Sequence, residues 1–229
     1  TDADCIYHLA ADISIQYSIG NPTKSYKNNV IGTLNVLEVA RVLGIKKVVF
    51  SSTAAIYGST SEPCVETDRP DPLNPYSVSK LAGENLMKMY NDLYGMQTVS
   101  LRYFNVYGPR QAYKGQYAPV IGIFQKQKFE EKPLTIIGDG NQTRDFIHVA
   151  DVAHANVMVA ESDVVGVFNV GSGVEYSVNQ IAMLTKNPYG TTTIPSREGE
   201  ARRSLSDNTK LKDIGWQPRI GLEAWMAKQ

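Results

Sequence analysis

The run Lys46-Lys47-Val48-Val49-Phe50-Ser51-Ser52 constrains the fold more than any other part of the chain. A compact apolar run of this kind belongs to a strand buried on both faces of a parallel sheet. Helical patterns flank it. After Asn21-Pro22, residues Val30, Leu34, Leu37, Val39 and Val42 recur at roughly helical spacing, and Gly44 stands where a helix would end. Downstream, a loop punctuated by Pro63, Pro70, Pro72 and Pro75 leads into a second long helix, from Tyr76 to about Tyr94, closed by Gly95. Cys5 to Ala11 reads as a short strand running into small residues, and Thr98 to Tyr103 as another strand. Strand, helix, strand, helix, strand at these spacings predicts an α/β fold built on a doubly wound parallel sheet.

Beyond Gly108-Pro109 the texture changes. Short strands (Leu134–Ile137, Val167–Val170), loops rich in Gly and Asp, and short helical stretches predict a smaller C-terminal lobe interleaved with the sheet. The expected division gives 1–108, with interleaved segments at about 138–170, to the sheet domain and 109–229 mainly to the lobe. Dinucleotide-binding sheets of this type open with a strand, a glycine-rich turn and a helix aimed at the pyrophosphate. No G-x-x-G-x-x-G or G-x-G-x-x-G occurs in the sequence, so the sheet is expected to lack its first strands. A chain that truly starts at Thr1 should expose a sheet edge and be inactive. The interval from Met183 to Pro195 and the end beyond Glu223 also look short, the first for a helix and strand, the second for a terminal helix.

Charge narrows the partners. Acidic and basic residues balance at 23 each, so no global field points to nucleic acid or a membrane surface, and an anionic substrate has to be held by a few local cations. Two cysteines, Cys5 and Cys64, are too few for a disulfide framework and suit a reducing compartment. No apolar stretch of about 18 residues and no basic-then-apolar leader is present, so the expectation is a soluble cytoplasmic protein. His8, His148 and His154 are too scattered for a metal site.

The strongest chemical signal is Tyr76-Ser77-Val78-Ser79-Lys80. Tyr and Lys four apart share one helix face. A nearby ammonium favours the phenolate and brings a poor base, with a reference pKa near 10, toward the working range. Such pairs are also common by accident, as a helix start with Tyr on the core and Lys in solvent. Ser51-Ser52-Thr53 ends the central strand in hydroxyls, where folds of this class bind ligands.

Taken with Tyr76-x-x-x-Lys80, several further segments resemble the extended short-chain dehydrogenase/reductase family, that of the NAD-dependent epimerases and dehydratases. They are His8-Leu9-Ala10-Ala11, Asn28-Asn29-Val30-x-Gly32-Thr33, Ser51-Ser52-Thr53 and Arg102-Tyr103-Phe104-Asn105-Val106-Tyr107-Gly108-Pro109. The match continues through Gly138-Asp139-Gly140-x-Gln142-x-Arg144-Asp145-Phe146-Ile147-His148-Val149-x-Asp151-Val152, Phe168 to Gly173, and Arg197-Glu198-Gly199-Glu200. These segments fall in the family's order over nearly the whole chain. The resemblance implies a Rossmann-type sheet, NAD as cofactor and a nucleotide-sugar substrate, with a homodimer as the assembly. It makes Tyr76 the base, Lys80 its partner and a ligand of the nicotinamide ribose, and Thr53 a sharer of the proton. Leu9, Ala10, Ala11, Asn28, Ser51, Ser52, Tyr103 and Phe104 would surround the cofactor. Asn105 would meet the substrate diphosphate, Arg144 and Arg197 would clamp it, and Glu200 would take the nucleotide ribose.

Other residues have plainer readings. His8 reads as a packed strand residue, and His148 and His154 as structural. Asp145 and Asp151 would cap or orient Arg144 and the following helix, and Cys64 sits in a polar loop. Leu81, Leu86, Met89, Tyr90 and Leu93 form a core face or a dimer helix bundle.

Within such a family, dehydratases carry Asp-Glu, and glucuronate decarboxylases a Glu, just before the Tyr-Gly that follows the strand end. Here Ala54 and Ala55 stand there. The resemblance then implies 4-epimerisation of a UDP-hexose, UDP-galactose and UDP-glucose, through a transient 4-keto sugar. Ser204 would border the sugar pocket and leave room for a 2-acetamido group. The alternatives are another sugar-nucleotide epimerase or a reductase of the same family, or an inactive truncated remnant that binds nucleotide sugar.

Overall fold

The computed structural model describes residues 2–115, 118–196, 199 and 201–229. Strand β1 (Cys5–His8) leads to helices α1 (Ile15–Gly20) and α2 (Pro22–Tyr26). One turn of π-helix, Lys27–Ile31, then runs without a break into α3 (Gly32–Leu43). The single helix expected after Pro22 is therefore segmented, for local reasons. The Ser14 hydroxyl caps α1 by accepting from the Tyr17 amide, Asn21 ends that helix, and Pro22 starts the next at a position where its missing N–H costs nothing. Gly44, at φ 70°, closes α3 in the left-handed conformation.

Next come β2 (Lys47–Thr53), a 3₁₀ turn (Ala54–Tyr57), α4 (Pro75–Tyr94) and β3 (Gln97–Tyr103). Asn74 and Ser77 cap the start of α4 reciprocally, with Pro75 in the first turn. The remaining elements are β4 (Asn105–Tyr107), α5 (Val120–Phe129), β5 (Leu134–Ile137), β6 (Thr143–His148), α6 (Val149–Glu161) and β7 (Gly166–Val170). After these follow β8 (Glu175–Ser177), α7 (Val178–Thr185), β9 (Thr191–Ile194), β10 (Arg203–Ser204), α8 (Thr209–Asp213) and α9 (Leu222–Met226).

Four parallel strands form the main sheet in the order β1-β2-β3-β7. One face packs Val49, Leu101, Phe168, Val152 and Trp216; the other packs Val48, Phe50, Leu37, Met87 and Tyr90. Burial on both faces is what the unbroken apolar run of β2 required. A second sheet, β10-β6-β4 with β8 antiparallel on β6, and a parallel pair, β5-β9, make up a lobe with its own core around Tyr107, Phe124, Phe146 and Ile181. The segment 138–170 is shared between the two: β6 lies in the lobe's sheet, whereas α6 packs on β2 and β3 and β7 joins the main sheet.

The interval that looked short, Met183 to Pro195, holds both the end of α7 and β9, joined by a left-handed turn at Lys186. Cys64 is buried and bridged to Ser206 rather than loose in a polar loop. Among the described residues no helix is long and apolar enough to cross a membrane.

Candidate active site

The parallel register sets Thr53 beside Tyr103, and Tyr103 beside Val170, so the hydroxyl-rich end of β2 lies at the carboxyl edge of the sheet. Thr53 also caps the 3₁₀ turn, its Oγ1 accepting from the Ala55 amide at 3.1 Å. The first turn of α4 is pinned opposite. The Tyr76 amide donates to Ser18 Oγ at 3.1 Å, and Ser79 Oγ donates to the Tyr76 carbonyl at 2.7 Å. This brings the Tyr76 phenol beside the Thr53 side chain, and both line one cavity.

Burial pushes the Tyr76 phenol above its ordinary value, and the Thr53 hydrogen bond opposes that. Lys80, almost wholly buried, donates from Nζ to the Ser51 carbonyl at 2.7 Å and lies 4.6 Å from the centroid of the Phe50 ring. Burial brings its pKa down to about 8, with the Glu84 carboxylate working against the fall. The sequence assigned the ammonium to the phenol; here it donates to the Ser51 carbonyl, and Thr53 is the side chain beside the Tyr76 phenol.

A cavity of about 350 Å³ opens onto this pair. Thr53, Tyr76, Ala54, Ala55, Phe104 and Asn105 line one side, and Val120, Phe124, Ile137 and Phe146 form an apolar wall. Arg144 and Ser204 complete it, set opposite each other by the β6–β10 pairing. Among the described lining residues Arg144 is the one charged side chain, and none is a carboxylate. Arg144 Nη1 donates to the Thr143 carbonyl at 2.8 Å. Asn105 Nδ2 reaches the Asp145 carbonyl at 3.3 Å. Gln142 also lines the cavity and was not singled out from sequence; its amide nitrogen donates to the Ile137 carbonyl, while its oxygen is buried without a partner among the described residues.

The residues assigned to a cofactor divide. Leu9 (60% exposed) and Ala10 form an uncovered ledge past the end of β1, with Ala11 half-buried beside them. Such an apolar ledge at the carboxyl end of a parallel strand fits a dinucleotide. Phe104 stacks on Tyr57, and Tyr103 accepts from Ser51 Oγ and donates to Asn156 Oδ1 at 2.9 Å. The Ser52 hydroxyl points inward and donates to Glu84 at 2.6 Å, so this side chain is not presented to a ligand. Asn28 is exposed and donates to Asp12 at 2.6 Å. Its neighbour Asn29 is the buried one, donating to Ser79 Oγ and the Asp12 carbonyl at 2.9 Å each and accepting from the Asp12 amide. The quoted Asn-Asn motif contained the signal, but the π-helical turn that rotates Asn29 inward does not follow from a 3.6-residue period. Arg197 and Glu200 lie outside the described residues.

The plainer assignments follow the packing. His8 bonds Thr33 Oγ1 at 2.9 Å, and burial and Lys80 bring its pKa down to about 4. His148 caps α6 through Nδ1. Asp145 does not orient Arg144; fully buried, it accepts from Ser172, Gly173 and Ser206 and ties three lobe segments together. Among the described residues no group of three or more His, Cys, Asp or Glu is placed to hold a metal ion.

Residues 1–171 match the family model of the NAD dependent epimerase/dehydratase family. The chain is 41% identical over 230 residues to a putative UDP-glucose 4-epimerase of Methanocaldococcus jannaschii, covering 97% of this chain and 74% of that protein. Among solved structures it superposes on UDP-N-acetylglucosamine 4-epimerase from Methanobrevibacter ruminantium in complex with UDP-N-acetylmuramic acid. The TM-score is 0.95 at 34% identity, over 99% of this chain and 75% of that one. It also superposes on Thermus thermophilus UDP-glucose 4-epimerase in complex with NAD, with TM-score 0.90 at 35% identity, over 97% and 75% of the two chains.

Proposed function

Because this chain belongs to the NAD dependent epimerase/dehydratase family, we propose that it interconverts UDP-galactose and UDP-glucose by 4-epimerisation through a transient 4-keto sugar. The observation that carries the reading is the wall beside the Tyr76–Thr53 pair. Ala54 and Ala55 stand there, and no described lining residue is a carboxylate. Dehydration needs an acid to protonate a leaving hydroxyl; epimerisation needs only that one proton and one hydride be taken and given back.

Tyr76, bonded to Thr53, takes the proton of the sugar 4-hydroxyl and later returns it. Thr53 shares that proton and holds the phenol in place. NAD, held by Leu9, Ala10, Ala11, Tyr103, Phe104 and Lys80, supplies the hydride acceptor when bound. Arg144 holds the diphosphate, with Arg197 as its partner, and Glu200 takes the nucleotide ribose. With the diphosphate fixed, the keto sugar turns against Ala54, Ala55 and the apolar wall, which offer few groups to grip one face of the ring. Ser204 leaves room for a 2-acetamido group, so UDP-N-acetylgalactosamine is a second substrate. The sheet with its flanking helices forms the cofactor domain and the lobe the substrate domain. Val39 and Val42 of α3 and Leu93 of α4 are exposed, and this apolar face pairs with a second copy.

The purified protein should convert UDP-galactose to UDP-glucose without added NADH. A 4-keto-6-deoxy product would replace this reading with dehydration, and failure on UDP-N-acetylgalactosamine would remove the Ser204 assignment.

A further inference from the structure

One buried charge pair behind the site is used by none of the steps above. Glu84 lies on α4 one turn beyond Lys80 and two beyond Tyr76, so the three share a helix face. Its carboxylate is almost wholly buried and fully bonded. Arg102 of β3 donates to it bidentately, at 2.9 Å from Nε and 2.7 Å from Nη2, and Ser52 Oγ donates at 2.6 Å. Arg102 is fixed in turn, with its guanidinium 4.7 Å from the Tyr57 ring centroid and Nη1 on the Glu66 carbonyl. Ser52 follows the residue whose carbonyl holds Lys80 Nζ. The strand end thus lies between two side chains of one helix, with Lys80 gripping Ser51 and Glu84 gripping Ser52.

We propose that Glu84, locked by Arg102, is a positioning residue that acts on the Lys80 ammonium one helical turn before it and fixes the end of β2 from which Thr53 meets Tyr76. A merely structural ion pair has no need of this place: replacing a buried pair with apolar residues is often neutral or stabilising. The other titratable groups around Lys80 cannot substitute for it. His8 on β1 is neutral, Tyr76 on α4 and Tyr103 on β3 are phenols held above their ordinary values, and Arg102 repels. Farther along the helices packed on α4, Glu38 of α3 is engaged by Arg41 and Tyr90, and Lys24 and Lys27 carry the wrong sign. Glu84 is the carboxylate that raises the Lys80 pKa against burial.

This rests on the reading of Tyr76 and Lys80 as machinery, but its test does not require turnover. Lysine 13Cε resonances are followed against pH in the wild-type protein, with Lys80→Met assigning the signal. In Glu84→Gln the Lys80 titration should fall by about one pH unit or more, and the basic limb of the kcat profile should fall with it. Because Glu84→Gln leaves Arg102 buried and unpaired, Glu84→Gln/Arg102→Met is measured beside it. That double variant keeps an acceptor for Ser52 and is compared with Arg102→Met alone, so that only the Glu84 charge differs between them, and its Lys80 titration should be the lower of the two. Equal Lys80 titrations in Arg102→Met and the double variant would overturn the proposal and leave Glu84 a structural residue. Inactivity of the wild-type protein would instead count against the epimerase reading, without touching the titration result.

Discussion

Burial at the cavity wall holds the Tyr76 phenol above its ordinary value, and Thr53 is the group that opposes the rise. Tyr76→Phe should therefore lower kcat by about 10³-fold or more, with an unchanged melting temperature, since one hydroxyl is removed without altering packing. Thr53→Val should cost about 10²-fold by the same assay. Arg144→Ala acts elsewhere: losing a charge-assisted contact to a diphosphate should weaken UDP-sugar binding by about 2 kcal/mol, some thirtyfold in Kd by calorimetry. His8 gives a pH prediction. Its pKa is held down to about 4 in the folded chain, below the ordinary 6.5, so the unfolded chain takes up the proton first as pH falls. The stability from a neutral His8 is present above the unfolded value and lost between there and about 4, up to about 3 kcal/mol in all. Denaturant melts at pH 7 and pH 5 should show this slope, and His8→Gln should flatten it.

Helix α4 is where local sequence and site geometry are most tightly joined. Its capping box, Pro75 and Gly95 fix both ends, and Gly83 fixes its distance from the sheet. A Cβ at Gly83 would come within 2.6 Å of Phe50 Cζ on β2, and Phe50 is the ring beneath the Lys80 ammonium. Gly83→Ala should destabilise the fold by about 1–3 kcal/mol and lower activity together, read by melting temperature and kcat. Elements like these were legible in the sequence because their signals are local. The run Val48-Val49-Phe50 and the glycines closing α3 and α4 all mark themselves. What escaped was set by contacts distant in sequence. Ser52 turns inward because Glu84 and Arg102 wait there, Asn29 rather than Asn28 is buried because a π-helical turn shifts the phase, and β9 exists because β5 offers it an edge.

For the whole molecule, the main sheet places the hydroxyls of β2 at one edge and the lobe brings Arg144 and Ser204 across from them, so the cavity exists only where the two layers meet. Exposed Val39, Val42 and Leu93 belong to this scale as well. Val42→Asp should shift the protein toward monomer in sedimentation analysis if that face pairs two copies, and leave it unchanged otherwise. The central claim is that one site takes a proton from the 4-hydroxyl and a hydride from C4 and puts both back on the same sugar. Turnover of UDP-galactose in D₂O, followed by NMR, tests it most directly. The account predicts UDP-glucose with hydrogen retained at C4 and no 6-deoxy product. Deuterium at C4, or a 4-keto-6-deoxy sugar accumulating in its place, would contradict it.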